Sequence, residues 1–122
     1  MNDEADLSWY SVRCVFAVGW PREGFRETYE ERITLWRARS AEEAMERAET
    51  EALEYAENIM VGPTTYLGLA QSYHLFDDPA DGAEIFSLMR DSNLDAKKYL
   101  DTFFDVGTER QATPPVSEGI SS

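Results

Sequence analysis

SAEEAMERAETEALEYAENI, Ser40 to Ile59, is the stretch on which the fold turns. Ala41, Ala44, Met45, Ala48, Ala52, Tyr55, Ala56 and Ile59 recur at steps of three and four, which is the apolar stripe of an amphipathic helix. Ser40 and Glu43 form a capping box: the hydroxyl accepts from a free backbone N–H, and the carboxylate reaches back to the Ser40 N–H. Ala and Glu, both good helix formers, fill the interior, and Gly62-Pro63 stops the run. A stripe made mostly of Ala lets the helix lie close against a partner surface. The outer face carries Glu42, Glu46, Glu49, Glu54 and Glu57, with Arg47 nearly alone against them.

What flanks this helix alternates. Ser8 to Val18 sends Tyr10, Val12, Cys14, Phe16 and Val18 one way, and Trp9, Ser11, Arg13, Val15 and Ala17 the other. A turn-rich loop, Gly19 to Gly24, leads to a second strand over Glu27 to Ala38. There Tyr29, Ile33 and Leu35 share one side, and Glu30, Arg32 and Trp36 the other. The short connection predicts an antiparallel hairpin. Thr64 to Phe76 reads as a third strand, Asp77 to Gly82 as a turn, and Ala83 to Met89 as a fourth strand. Ser92 and Asp95 repeat the cap-like spacing before a shorter helix, Leu94 to Phe104. The expected fold is α+β: a four-stranded, mainly antiparallel sheet in ββαββα order, with both helices on one face. Residues 8–105 form the single domain. Residues 1–7 are a loose acidic terminus, and residues 106–122 hold too little apolar content to pack.

Bulk properties exclude several function classes. The 122 residues carry a formal charge of −13, which argues against direct binding to a nucleic-acid backbone and against anionic membranes. It fits a basic protein partner, or solubility alone. A single cysteine, Cys14, rules out an internal disulfide and a cysteine-based zinc cluster. No apolar run reaches membrane-span length, and the acidic start MNDEAD lacks the pattern of a signal peptide. The expectation is a cytoplasmic, reduced protein with no cofactor and no metal.

The strings Trp9-Tyr10-Ser11-Val12-Arg13, Tyr29-Glu30-Glu31-Arg32-Ile33, Ser40-Ala41-Glu42-Glu43-Ala44, Tyr73-His74-Leu75-Phe76 and Asp81 to Ser87 occur in that order. As a set they resemble a family of small bacterial proteins known only as a domain of unknown function, number 4288. The resemblance covers about Ser8 to Arg90. It implies this order of elements and no particular reaction.

With both helices on one face, the other face of the sheet is expected to carry Trp9, Arg13, Glu30, Arg32, Trp36 and His74. Two Trp, two Arg and a His suit a contact surface, because Trp and Arg are favoured at interfaces. They equally suit a cross-strand Trp9–Trp36 pair or a twofold dimer. His74, the only histidine, has Asp77 and Asp78 nearby in sequence, but no nucleophile motif accompanies it. Glu31 falls on the apolar side and needs an Arg or Tyr partner if buried. Asp77, Asp78, Asp81 and Gly82 do not have the spacing of a calcium loop, and Cys14 reads as a small core residue. The function expected is that of a non-catalytic, acidic protein-interaction domain. It would be a homodimer, or a binder of a basic partner in the manner of an immunity or inhibitor protein. The alternative is a small-anion-binding or catalytic domain on the open sheet face, with Arg13 and Arg32 holding the anion.

Overall fold

The computed structural model describes residues 6–19, 23–58 and 63–104, together with Gly107 and Glu109. Most of the expected loose N-terminus and of the expected disordered tail lies outside these residues, as do parts of the Gly19 to Gly24 loop and Gly62 of the helix stop. The elements run β1 (Ser8–Val18), β2 (Thr28–Ala38), α1 (Ala41–Asn58), β3 (Thr64–His74) and α2 (Ala96–Phe103). They fall in two compact units, Met1–Leu88 and Met89–Ser122.

The first unit is a three-stranded antiparallel sheet in the order β2-β1-β3, with α1 packed on one face. The alternation in β1 places Tyr10, Val12, Cys14, Phe16 and Val18 in the core, as the sequence predicts. Ala44, Ala48 and Ala52 of α1 are buried against them. Phe16 is fully buried, its ring centre 5.1 Å from that of Tyr55 and 5.6 Å from that of Tyr66. Burial of Phe16 and Val12 stabilises the fold by about 1.5–3 kcal/mol each.

The start of α1 is capped by Ser40, whose Oγ accepts from the Glu43 N–H at 3.0 Å. The return arm of the box lands one residue earlier than expected. Glu43 Oε1 accepts from the Arg39 N–H at 2.7 Å, not from Ser40. The helix N-terminus and its preceding turn are thereby tied together.

The expected fourth strand does not form. Beyond β3 the Leu75 N–H still donates to the Trp9 carbonyl at 2.9 Å. A turn then closes with Ala83 N–H on the Ala80 carbonyl at 2.9 Å. The segment after it makes no ladder. Phe86 instead lies near Tyr73, at 6.1 Å between ring centres, with the Arg13 guanidinium 5.0 Å from its own. Arg13 belongs to the central strand, so Phe86 reaches across the sheet face, where a residue of a strand added beyond β3 would not. Burial against that face replaces edge pairing, and the order is ββαβα.

In the second unit, Asp95 is the N-cap of α2, accepting from the Lys98 N–H at 2.9 Å. Ser92 bonds the Leu94 N–H instead, so it is not the counterpart of Ser40. Arg90 donates to the Tyr99 hydroxyl at 2.8 Å and sits 4.1 Å from the Phe103 ring centre. Within the first unit α1 alone packs on the sheet, and α2 belongs to the second unit.

Candidate functional site

Register decides which residues share a face, because directly opposed antiparallel residues point the same way. Tyr10 opposes Trp36, Cys14 opposes Arg32, and Phe16 opposes Glu30. Across β3, Tyr10 opposes His74. Glu30, Arg32, Trp36 and His74 thus share the face of Tyr10 and Phe16, on which α1 packs. Only Trp9 and Arg13 of the six residues expected together lie on the outer face. No Trp9–Trp36 pair exists, since Trp9 opposes Arg37. A change of one residue in register exchanges the two faces of a strand, and the expectation placed Tyr29, Ile33 and Leu35 on the core side.

The reason lies in what α1 offers. Its Ala stripe leaves room for long side chains, and its flanks carry their partners. Arg32 grips Glu51 through two bonds, Nη1 to Oε1 at 2.7 Å and Nη2 to Oε2 at 2.9 Å. Its guanidinium is 3.8 Å from the Tyr55 ring centre. The bonds to Glu51 push the Arg32 pKa up from its ordinary value. The Tyr55 hydroxyl donates to Glu30 at 2.7 Å. Burial first, and then this bond, push its pKa up to about 12. Arg47 donates to the Arg37 carbonyl and stands 5.2 Å from the Trp36 ring centre.

On the β3 side, the Tyr66 hydroxyl donates to Glu49 at 2.5 Å. Burial and that bond raise its pKa as well. Burial also pushes the Cys14 thiol up, against a lowering by its hydrogen bond to Tyr66. The thiol is held protonated and out of solvent, the opposite of an activated nucleophile.

The acidic face of α1 is not uniform. Glu42, Glu46 and Glu49 line a cleft of about 330 Å³ together with Met45, Gly68 and Ala70. Glu49 is held by Tyr66, whereas Glu54 and Glu57 are exposed. A second cleft, of about 220 Å³, brings Trp9 and His74 together with Ser8, Arg37, Asp77 and Asp78. The His74 ring stacks on Tyr10 at 5.0 Å. Among the described residues no hydrogen bond joins it to Ser8, Asp77 or Asp78.

The outer face is where apolar surface remains. Tyr29, Ile33 and Leu35 of β2 are 58%, 42% and 40% exposed. Ala17, Arg13 and Ser11 of β1 oppose them in turn. Arg13 Nε donates to Gln71 Oε1 at 3.1 Å, and Nη1 to Glu31 Oε1 at 3.3 Å. Glu31 lies on the exposed side of the sheet, so it reaches water and needs no partner to offset burial, although Arg13 is within reach. The sequence reading missed this face. No local pattern marks it: Glu30 and Arg32 of β2 meet Tyr55 and Glu51 of α1 only once the chain is folded.

A family model described as a domain of unknown function, DUF4288, matches residues 9–87. The chain belongs to the DUF4288 family. The match spans nearly all of the first unit and stops short of α2, so the DUF4288 region is the sheet, α1 and the segment that carries Phe86. No curated protein and no solved structure matches the chain. In this DUF4288 member, no helix among the described residues is long and apolar enough to cross a membrane. Among the same residues, no group of His, Cys, Asp or Glu is placed to hold a metal ion.

Proposed function

We propose that this domain is non-catalytic and works by protein contact, through the outer face of its sheet. The observation that carries this reading is the exposure of Tyr29, Ile33 and Leu35 on the side of the sheet away from α1. Their full burial in an interface would contribute on the order of 1–2 kcal/mol per side chain. Exposed apolar surface with charges at its margin, here Arg13, Glu31 and Arg37, has the composition of a contact patch. The partner is a second copy or a basic protein. The charge of −13 would speed encounter with a basic surface and make it salt-sensitive. Arg13 and Arg32 are each engaged by carboxylates, which favours contact over anion capture. A cytosolic setting fits the single buried thiol of Cys14.

The test is photo-crosslinking in the native host, with a photoreactive amino acid at position 33, 35 or 54. Adducts at 33 and 35, and none at the solvated helix position 54, are expected. Labelling at 33 and 35 no stronger than at 54 removes the reading.

A further inference from the structure

The two outer edges of the sheet differ. β3 is broken between its pairings to Cys14 and Phe16, where four residues of β3 span two of β1. Gly68 sits inside this bulge at φ +85°. Bulges of this kind keep an edge from pairing. β2 pairs with β1 without interruption from Thr28 to Ala38 and contains neither Gly nor Pro. Among the described residues no strand pairs with its other side, where the Arg37 carbonyl takes a side-chain bond from Arg47. A long regular edge is a template for another strand.

We propose that two copies of this chain pair through β2, antiparallel about a twofold axis at Thr34, to form one continuous six-stranded sheet. The pattern of charges along β2 points to a second copy as the occupant. A twofold axis normal to the sheet sets same-face residues of the two β2 strands opposite one another. With Thr34 on the axis, Glu31 faces the partner's Arg37 and Ile33 faces the partner's Leu35, each twice. Arg32 faces the partner's Trp36, and no like charges meet. Neighbouring registers are worse. With Arg32 on the axis, two guanidinium groups meet. With Glu31 there, two carboxylates meet. Ile33 on the axis opposes Glu31 to Leu35, and Leu35 on the axis opposes Ile33 to Arg37. The inference rests on the contact reading and deepens it. Pairing sets Ile33 and Leu35 of both copies side by side, with one Tyr29 beyond them at either end, and doubles the apolar face.

The first measurement is solution mass over a concentration series by analytical ultracentrifugation. A concentration-dependent dimer is expected. The second is a charge exchange. Glu31→Arg and Arg37→Glu each weaken the dimer about tenfold or more, and the double variant recovers most of the loss. Melting curves confirm that all three fold. The third is oxidative cross-linking of Thr34→Cys. Two cysteines on the axis would oppose each other at a Cα separation of about 4.5–5.5 Å, within disulfide reach. A fast covalent dimer is expected, with Leu67→Cys on β3 as the slow control. A wild type that stays monomeric, a double variant no better than the singles, or Thr34→Cys no faster than Leu67→Cys overturns the pairing. A monomer that still forms adducts at positions 33 and 35 would overturn the pairing and leave the contact reading standing.

Discussion

Arg32→Met and Ile33→Ala, made separately, report which face of β2 is inside. Arg32 and Glu51 form a two-bond pair with side-chain exposures of 27% and 32%. An exposed pair contributes under about 1 kcal/mol, and breaking a fully buried one costs about 3–5 kcal/mol. At these exposures an intermediate loss of about 2 kcal/mol is expected. Loss of the Tyr55 ring contact adds about 0.5–1 kcal/mol. Met keeps most of the packing of the aliphatic stem, so the total for Arg32→Met is about 2–3 kcal/mol. Ile33, 42% exposed in the single chain, loses far less on truncation, about 1 kcal/mol or under. Exchanged faces would invert the order: Ile33→Ala would then cost about 2–5 kcal/mol, and Arg32→Met under about 0.5 kcal/mol. Urea unfolding followed by Trp fluorescence, at concentrations low enough for the monomer, reads both. With a slope of about 1–3 kcal/mol per molar, the Arg32 variant moves the midpoint by roughly 1 M. A double-mutant cycle with Glu51→Gln should return a coupling of about 1–2 kcal/mol. A larger loss for Ile33→Ala than for Arg32→Met, or a coupling near zero, would refute the inner placement of Arg32.

Four further expectations follow from the same packing. Tyr55 has a folded pKa of about 12, above its ordinary 10, and Tyr66 is raised in the same direction. The contribution of Tyr55 to stability is therefore complete below pH 10 and is lost as pH rises from there through about 12, and that of Tyr66 is likewise lost only on the alkaline side of its ordinary value. Absorbance titration should show Tyr55 and Tyr66 among the late tyrosines, and Tyr55→Phe/Tyr66→Phe should flatten the alkaline loss of stability. Gly68→Ala forces a Cβ into a positive-φ position and should cost about 1–2 kcal/mol by urea unfolding. Ser11 is fully buried, and among the described residues its Oγ has no partner. Ser11→Ala should raise the urea midpoint, by up to about 1 kcal/mol in stability. Cys14 should resist thiol reagents at neutral pH until the fold opens, so its labelling rate should track global unfolding.

Strong local signals were legible in the sequence. The Ala stripe, the Ser40 cap and the alternation of β1 each follow from short-range chemistry, and each is where the pattern places it. Parity was not legible. β2 presents an apolar set at Tyr29, Ile33 and Leu35 and a polar set at Glu30, Arg32 and Thr34, and the usual rule sends the apolar set inward. What decides otherwise is long-range: Glu51 and Tyr55 lie more than a strand's length away in sequence and satisfy Arg32 and Glu30 beneath the helix. Part of the candidate site moved with that parity, so Trp9 and Arg13 kept their face and Trp36 lost it. The fourth strand failed for a related reason. Ala83 to Met89 alternates well enough for a strand, but Phe86 finds Tyr73 and Arg13 across the sheet, a competitor invisible to local pattern.

The kink that Gly68 puts into β3 also sets how far such a sheet can grow. A chain with two smooth edges adds copies at both ends and runs on into a fibre. Here only one edge is smooth. Once two β2 strands have found each other, the rims that remain are both β3, and both are bent. An assembly built on the proposed pairing would be self-terminating: the same glycine that lines a hollow beside Met45 and Glu46 would limit its stoichiometry to two.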